Sequence, residues 1–436
     1  MAACLYQADL SCGCGRAVTP DGGSRALSSC DPADASSEPD GGGADAGARD
    51  SGAASDAGAA SDAGARDAGP PADAGVDAGP TDGGACPVPT FLAAVNYATG
   101  ASPSAVVAHD MNGDGRLDLV VANNNAGSVS ILWGRGDGTF QAHVDYLVGA
   151  GAVSLAVGDF NADGIPDVLS GGTGQAVSLL LGAGDGGFQP VRSFGVVVGY
   201  PSALVVGDFN RDGALDFAFS AELGTATVVA LGNGNGTFGP LVSFPTGASV
   251  AAVGTADLNQ DGILDLISAD VATQSAFVLL GLGDGGFQAA TRWVIGGTPS
   301  AISTGDFNGD GRPDVAVAIS TAHGVNALEV DILFGLSDGG LQSAGAVAVD
   351  QVPYAVAVGD VNGDGKLDLA VASYFQGAVD VLLGEGDGGF QTQVQFPTGA
   401  TSTGVALGDF NGDGKPDLAV TNSGSSTVSV LLNACP

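Results

Sequence analysis

Basic residues are scarce in this chain: Lys and Arg number 12 against 48 Asp and Glu, a formal net charge of −36. A protein that grips nucleic-acid phosphates needs a Lys/Arg face, so that class is excluded. Also missing is any uncharged apolar run near the roughly 18 residues of a membrane span, so no transmembrane segment is expected. Histidine is nearly absent, with only His109, His143 and His323. The repeats offer no Ser-His-Asp or Cys-His arrangement, and nearly all the paired carboxylates belong to one repeated loop, so no enzymatic activity is signalled. Glycine, by contrast, supplies 74 of 436 residues, over twice its usual share of roughly 7%, which works against helices. Hydrophobic residues still make up 44%, enough for a sizeable core. The expectation is a large, acidic, Gly-rich all-β protein.

Composition divides the chain near residue 86. Residues 31–85 are almost entirely Asp, Ala, Gly, Ser and Pro, without aromatic residues or apolar periodicity. Such a segment cannot bury enough surface to offset its ordering entropy and reads as a disordered, self-repelling tether. Residues 1–30 carry Cys4, Cys12, Cys14 and Cys30.

From residue 86 onward the sequence repeats. The phrase Asp-x-Asn-x-Asp-Gly-x-x-Asp occurs seven times at spacings of 49, 49, 49, 49, 54 and 49 residues, the signature of a solenoid or propeller. The sixth copy shows the grammar: the run Tyr354–Gly359, the acidic loop Asp360–Asp368, then the runs Leu369–Ser373, Ala378–Leu383 and Phe390–Phe396. Short apolar runs bounded by Gly, Asp and Asn read as strands, and four antiparallel strands per unit make a propeller blade. The seventh copy stops after three strands, at Val428–Leu432, and a fourth-strand sequence stands at the other end, Phe91–Tyr97. The N-terminal strand is therefore expected to complete blade seven, closing the ring without exposed edges.

Each loop offers oxygen atoms at positions one, three, five and nine. Position one is Asp110, Asp159, Asp208, Asp257, Asp306, Asp360 and Asp409; position three is Asn112, Asn161, Asn210, Asn259, Asn308, Asn362 and Asn411. Position five is Asp114, Asp163, Asp212, Asp261, Asp310, Asp364 and Asp413; position nine is Asp118, Asp167, Asp216, Asp265, Asp314, Asp368 and Asp417. Gly at position six permits a sharp turn with positive φ. Position seven varies freely, as Arg116, Ile165, Ala214, Ile263, Arg312, Lys366 and Lys415, which suits a ligand supplied by the backbone carbonyl. Oxygen-only ligation from a compact loop suits Ca²⁺, about seven ions in all, rather than the stricter octahedron of Mg²⁺ or the His/Cys preference of Zn²⁺. An EF-hand would need Glu at position 12 and flanking helices; the first copy has Val121 and strands.

Asp306-Phe-Asn-Gly-Asp-Gly-Arg-Pro-Asp-Val-Ala-Val and its siblings resemble FG-GAP/VCBS repeats over residues 86–436. The resemblance implies a seven-bladed propeller like the head of integrin α subunits, with Ca²⁺ held between the first and second strands of each blade. It implies adhesion or ligand display, although the family also includes lectins and domains attached to polysaccharide-cleaving enzymes. The expected function is thus a calcium-binding, surface-exposed binding module, with a glycan lectin as the alternative and a polysaccharide-active enzyme as the less favoured one.

The turn Gly136-Asp-Gly-Thr-Phe140 and its copies lack the Lys-Ser/Thr of a phosphate loop and read as structural turns. Their Phe residues (Phe140, Phe188, Phe238, Phe287, Phe390), with Leu341 in blade five, read as core between blades, as do Trp133 and Trp293. His109 reads as a packed or solvated neighbour of the first loop rather than a ligand. The sequon Asn235-Gly-Thr237 falls in the blade-three turn. A protein or glycan ligand is expected on the face opposite the metal loops, where the repeat is broken by Asn123, Asn124 and Asn125, by Tyr200, Tyr354, Tyr374 and Phe375, and by the longer hairpin Ser320–Ala327. A monomer is expected.

Cys86 lies 24 residues before Asp110 as Glu385 lies 24 before Asp409, and Cys435 follows Leu432 as Gly386 follows Leu383. The two cysteines map to adjacent repeat positions and are expected to form a disulfide stapling the ring. That pairing and the calcium loops suit an oxidising, extracellular space. No signal-peptide pattern is present, but Met1-Ala-Ala-Cys4 resembles the end of a bacterial lipobox; a lipid anchor on Cys4 and a small knot of the four N-terminal cysteines both remain open.

Overall fold

The computed structural model describes residues 86–196, 199–322 and 328–435. The N-terminal cysteine segment, the tether and His323 lie outside these residues. What is described is all-β, in seven four-stranded antiparallel sheets.

Blade one is β2 (Pro103–His109), β3 (Asp118–Asn123), β4 (Ser128–Leu132) and β5 (Val144–Leu147). Blades two, three and four repeat the pattern over residues 152–195, 200–245 and 250–294, as β6–β9, β10–β13 and β14–β17. Blade five is β18 (Gly297–Gly305), β19 (Asp314–Ala322), β20 (Glu329–Gly335) and β21 (Leu341–Ala348); blade six is β22 (Pro353–Gly359), β23 (Asp368–Ser373), β24 (Ala378–Leu382) and β25 (Val394–Pro397). Blade seven is β26 (Ser402–Gly408), β27 (Asp417–Asn422) and β28 (Thr427–Leu431), completed by β1 (Val95–Ala98). In it Tyr97 pairs with Val428 and Val95 with Val430, so the chain closes its own ring as the repeat arithmetic requires.

The second and third strands of blades one, six and seven are buried almost throughout. Seven apolar clusters fill the ring. They form between blades: one gathers Val121, Leu132 and Phe140 of blade one with Phe410, Ala419 and Val430 of blade seven. The turn aromatics do pack there, Phe140 lying edge-on to Phe410 at 5.5 Å and Phe390 edge-on to Phe307 at 5.7 Å.

Outside blade five, where β21 begins at Leu341 itself, the fourth strands start later than expected. They run over Val95–Ala98 and Val394–Pro397 rather than from Phe91 and Phe390. Each Phe instead makes an isolated bridge, to Asn433 and Gly384. The aromatic ring leaves the strand line to fill the space between blades, so an aromatic that reads as a strand residue is a core plug. Trp133 likewise stands one residue past β4 and packs in the core between blades one and two.

Cys86 and Cys435 form a disulfide with Cα atoms 5.7 Å apart, both nearly buried. The hairpin between the third and fourth strands of blade seven is therefore made of the two ends of the propeller joined covalently.

Candidate functional site

Every acidic loop joins the first strand of its blade to the second. In the first, Asp110 Oδ1 accepts the N–H groups of Gly113 (2.8 Å) and Asp114 (3.2 Å), and Oδ2 accepts that of Gly115 (2.7 Å). Asn112 Oδ1 accepts from Asp114 N–H and Asp114 Oδ1 from Arg116 N–H, both at 2.9 Å. These are successive Asx turns, in which a short polar side chain replaces a backbone acceptor. Gly115 sits at φ +81°, where an added Cβ would meet nothing within 4 Å, so glycine is favoured there by the left-handed backbone it adopts at least cost. The other six loops repeat the bonds from the fifth and sixth positions to Asp159, Asp208, Asp257, Asp306, Asp360 and Asp409, while the fourth-position bond recurs only where that residue is glycine, at Gly309, Gly363 and Gly412.

Position nine behaves differently. Asp118 is fully buried. Its Oδ2 accepts Met111 N–H at 3.0 Å, and its Oδ1 accepts Gly134 N–H, at the exit of β4, at 2.8 Å. Asp167, Asp216, Asp265, Asp314, Asp368 and Asp417 tie the same two points in their blades. Burial pushes these carboxyls up, to about 6 for Asp118, Asp167, Asp216, Asp265, Asp368 and Asp417. Two backbone N–H groups oppose the rise, and the Asp residues at positions one and five add to it.

Position seven lies with its backbone N–H on the position-five carboxylate, while its side chain rests beside a turn glycine of the same blade, as Arg116 does at Gly136 and Lys366 at Gly386. Among the described residues no three His, Cys, Asp or Glu side chains gather into a group that could hold a metal; each loop brings together two exposed or half-exposed carboxylates and one Asn amide, with its third carboxylate buried on backbone N–H groups. The donors within reach of each turn are nonetheless all oxygen, the chemistry of a hard cation rather than of zinc.

The following turn has a separate job. Asp387 Oδ1 accepts Gly389 N–H at 2.9 Å and Asn235 fills the same place for Thr237. Gly388 N–H reaches across to the carbonyl of Phe307 in blade five. A Cβ on Gly388 would stand 2.1 Å from the Phe334 ring, so that approach requires glycine.

At the opposite end the blades differ. Asn123, expected among exposed loop residues, is buried, its amide nitrogen held by Ser128 and Ser130; it completes the end of β3 and faces no ligand. Asn125 is exposed and donates to Ser102. Asp270 is also buried, its carboxylate taking the N–H groups of Ala248, Ser249 and Thr273, which commits it to the backbone. In blade six Tyr354 and Tyr374 stack at 5.2 Å, and Phe375 meets Tyr374 edge-on at 5.0 Å. The β22–β23 register, with Pro353 opposite Ser373, brings these residues together. Most blades place a small residue where Tyr354 stands, and Ser104, Ser300 and Thr403 bond there to a carbonyl of the next blade. Tyr354 is 44% exposed, yet its phenol is pushed up by surrounding protein, then by Tyr374 and Glu222. A side chain standing in the mouth of the central channel has both properties. Leu223 and Phe375, at equivalent hairpin positions in blades three and six, are 67% and 65% exposed.

Two family models match this sequence. The FG-GAP-like repeat matches residues 110–170, 159–219, 218–268, 268–317 and 360–420, and the FG-GAP repeat matches 298–350. The chain belongs to the FG-GAP repeat family. No curated protein matches it. Among solved structures it is similar to BBS1N in complex with ARL6DN, with a TM-score of 0.57 at 14% identity, covering 79% of this chain and 97% of that one. It is also similar to an Agrocybe aegerita lectin that recognises non-reducing terminal N-acetylglucosamine, with a TM-score of 0.48 at 18% identity, covering 77% and 87%.

Each FG-GAP loop also has an anchor that the spacing of its oxygens did not reveal. Position two is Met111, Phe160, Phe209, Leu258, Phe307, Val361 or Phe410, all buried. The signal was present, since every copy is apolar at that place between two polar ones. His109, beside the first loop, is half-buried, and burial lowers its pKa against the pull of Asp110.

Proposed function

We propose that this protein is a calcium-loaded FG-GAP binding module working outside the cell, with its ligand captured at the end opposite the metal loops. The observation that carries the calcium reading is the sevenfold recurrence of one loop, wrapped the same way each time, with only oxygen donors. In each, positions one, three and five would supply side-chain oxygens, position seven a carbonyl, and position nine a free lone pair of its tied carboxylate. Bound calcium neutralises the carboxylates crowded in each loop and stiffens the ring. The disulfide and calcium loops together suit a secreted or cell-surface setting.

The broken repeat at the channel mouth supports the placement of the ligand, because no packing role requires exposed Tyr354, Phe375 and Leu223. BBS1N shows a propeller of this kind crystallised with a protein partner, and we favour a protein ligand and an adhesion role without catalysis. A glycan is the second reading, since a tyrosine stack is a platform for sugar rings. Calcium titration of the full chain tests the first part, with about seven ions expected and none contradicting it. A matrix-protein and glycan binding screen tests the second: Tyr374→Ala and Tyr354→Ala should weaken the captured ligand, and unaltered binding would move the site elsewhere.

A further inference from the structure

The sixth metal loop is covered in a way the other six are not. Asn362 is 7% exposed, whereas position three is half-buried in the remaining loops, and Asp364 is half-buried where every other position five is exposed. The cover comes from the severed hairpin of blade seven. Cys86 N–H donates to the carbonyl of Asn362 at 3.1 Å. From the other chain end, the Asn433 amide donates to the carbonyl of Val361 at 2.7 Å, and Cys435 N–H is held by Asn433 Oδ1 at 3.0 Å. In other blades an unbroken hairpin performs this docking, as Gly236 does on Phe160 and Gly388 on Phe307. Here the two hands on the loop belong to opposite ends of the propeller, and the disulfide joins them.

We propose that the Cys86–Cys435 bridge is a clamp on the sixth metal loop, so that opening it weakens calcium binding at this one site and leaves the other six unchanged. The proposal rests on the calcium reading above. Without the bridge, Cys86 is free to leave Asn362, and the loop must be ordered by the metal alone, which lowers its apparent affinity. A dithiol opens the bridge by exchange. Its thiolate attacks one sulfur, the other leaves as thiolate, and the second thiol of the reagent closes on the mixed disulfide, so two electrons pass to the protein. The site would then report the redox state of its surroundings.

The test is calcium titration of the full chain and of its Cys86→Ser/Cys435→Ser variant. The variant should retain six sites unaltered and show one weakened about tenfold, the effect of losing roughly one well-placed hydrogen bond. Asp364→Ala removes the sixth site, and in that background opening the bridge should change nothing further. Seven unchanged sites, or seven weakened alike, overturn the clamp. Absence of calcium binding by the unmodified chain overturns the calcium reading instead. If the double variant does not fold, hydrogen exchange of the oxidised chain in EGTA decides. Added dithiol should expose the Gly363 and Gly365 amides before those of Gly309 and Gly311, and simultaneous loss overturns the clamp.

Discussion

At one end of the ring, seven loops share one common set of Asx-turn hydrogen bonds; at the other, no two hairpins carry the same side chains. The loop end is built from the repeat. Its apolar anchor at position two and buried Asp at position nine recur in every blade, because each loop must dock on the same inter-blade core. The opposite end is built from departures: Glu222 and Leu223 in blade three, Tyr354, Tyr374 and Phe375 in blade six. Repetition marks what holds the propeller together and orders its loops, and departure marks where the proposed ligand would be distinguished.

That comparison can be broken at its strongest point first. Phe160→Ala, which empties the anchor of the second loop, should cost about 3–5 kcal/mol of stability by the usual penalty for a large buried side chain. Denaturant unfolding in EGTA measures it, and a loss under about 1 kcal/mol would show that position two is not an anchor. Next, the two kinds of loop carboxylate can be separated. Asp216→Ala strands the N–H groups of Phe209 and Gly232 and should cost about 3 kcal/mol even without metal. Asp212→Ala, at an exposed position, should cost under about 1 kcal/mol in EGTA yet remove one bound calcium. Equal losses in EGTA would erase the distinction between tie and ligand.

A smaller effect lies among the departures. Asp380 of β24 is buried, bonded to Ser373 and Gln395, and stands where blades one and seven place Ser130 and Ser429. Burial raises its pKa, the two side-chain bonds oppose that, and Asp350 adds to it. A carboxyl with a raised folded pKa binds its proton more tightly in the fold, so its contribution is favourable below the unfolded value and is lost as pH rises through the folded one. Asp380→Asn should therefore gain stability relative to the parent as pH climbs above the ordinary carboxylate range. Parallel pH profiles would contradict the assignment. Smallest of all, Phe375→Ser should change stability by no more than about 0.5 kcal/mol, since the ring is mostly in solvent.

Most of the fold was legible because the repeat supplies seven readings of one pattern. Spacing located the loops, and the truncated seventh copy revealed both the ring closure and the Cys86–Cys435 bridge. What escaped was whatever depends on depth. Asp118 and Asp114 are the same letter, yet one is buried on two backbone N–H groups and the other faces solvent. Phe390 reads as the start of a strand but leaves it to plug the core. Asn123 reads as a loop residue but is sealed beneath Ser128 and Ser130. Tyr354 and Tyr374 stand twenty positions apart in the chain and meet only through the register of β22 on β23.

The proposal that calcium stiffens the ring is tested most directly by scanning calorimetry of the full chain with about 2 mM calcium and with EGTA. At a Kd near 10⁻⁴ M, each site adds roughly 1.8 kcal/mol, and seven independent sites approach ~12 kcal/mol. The account predicts a large fall in Tm on chelation, recovered when calcium is restored. An identical Tm in both conditions would contradict it.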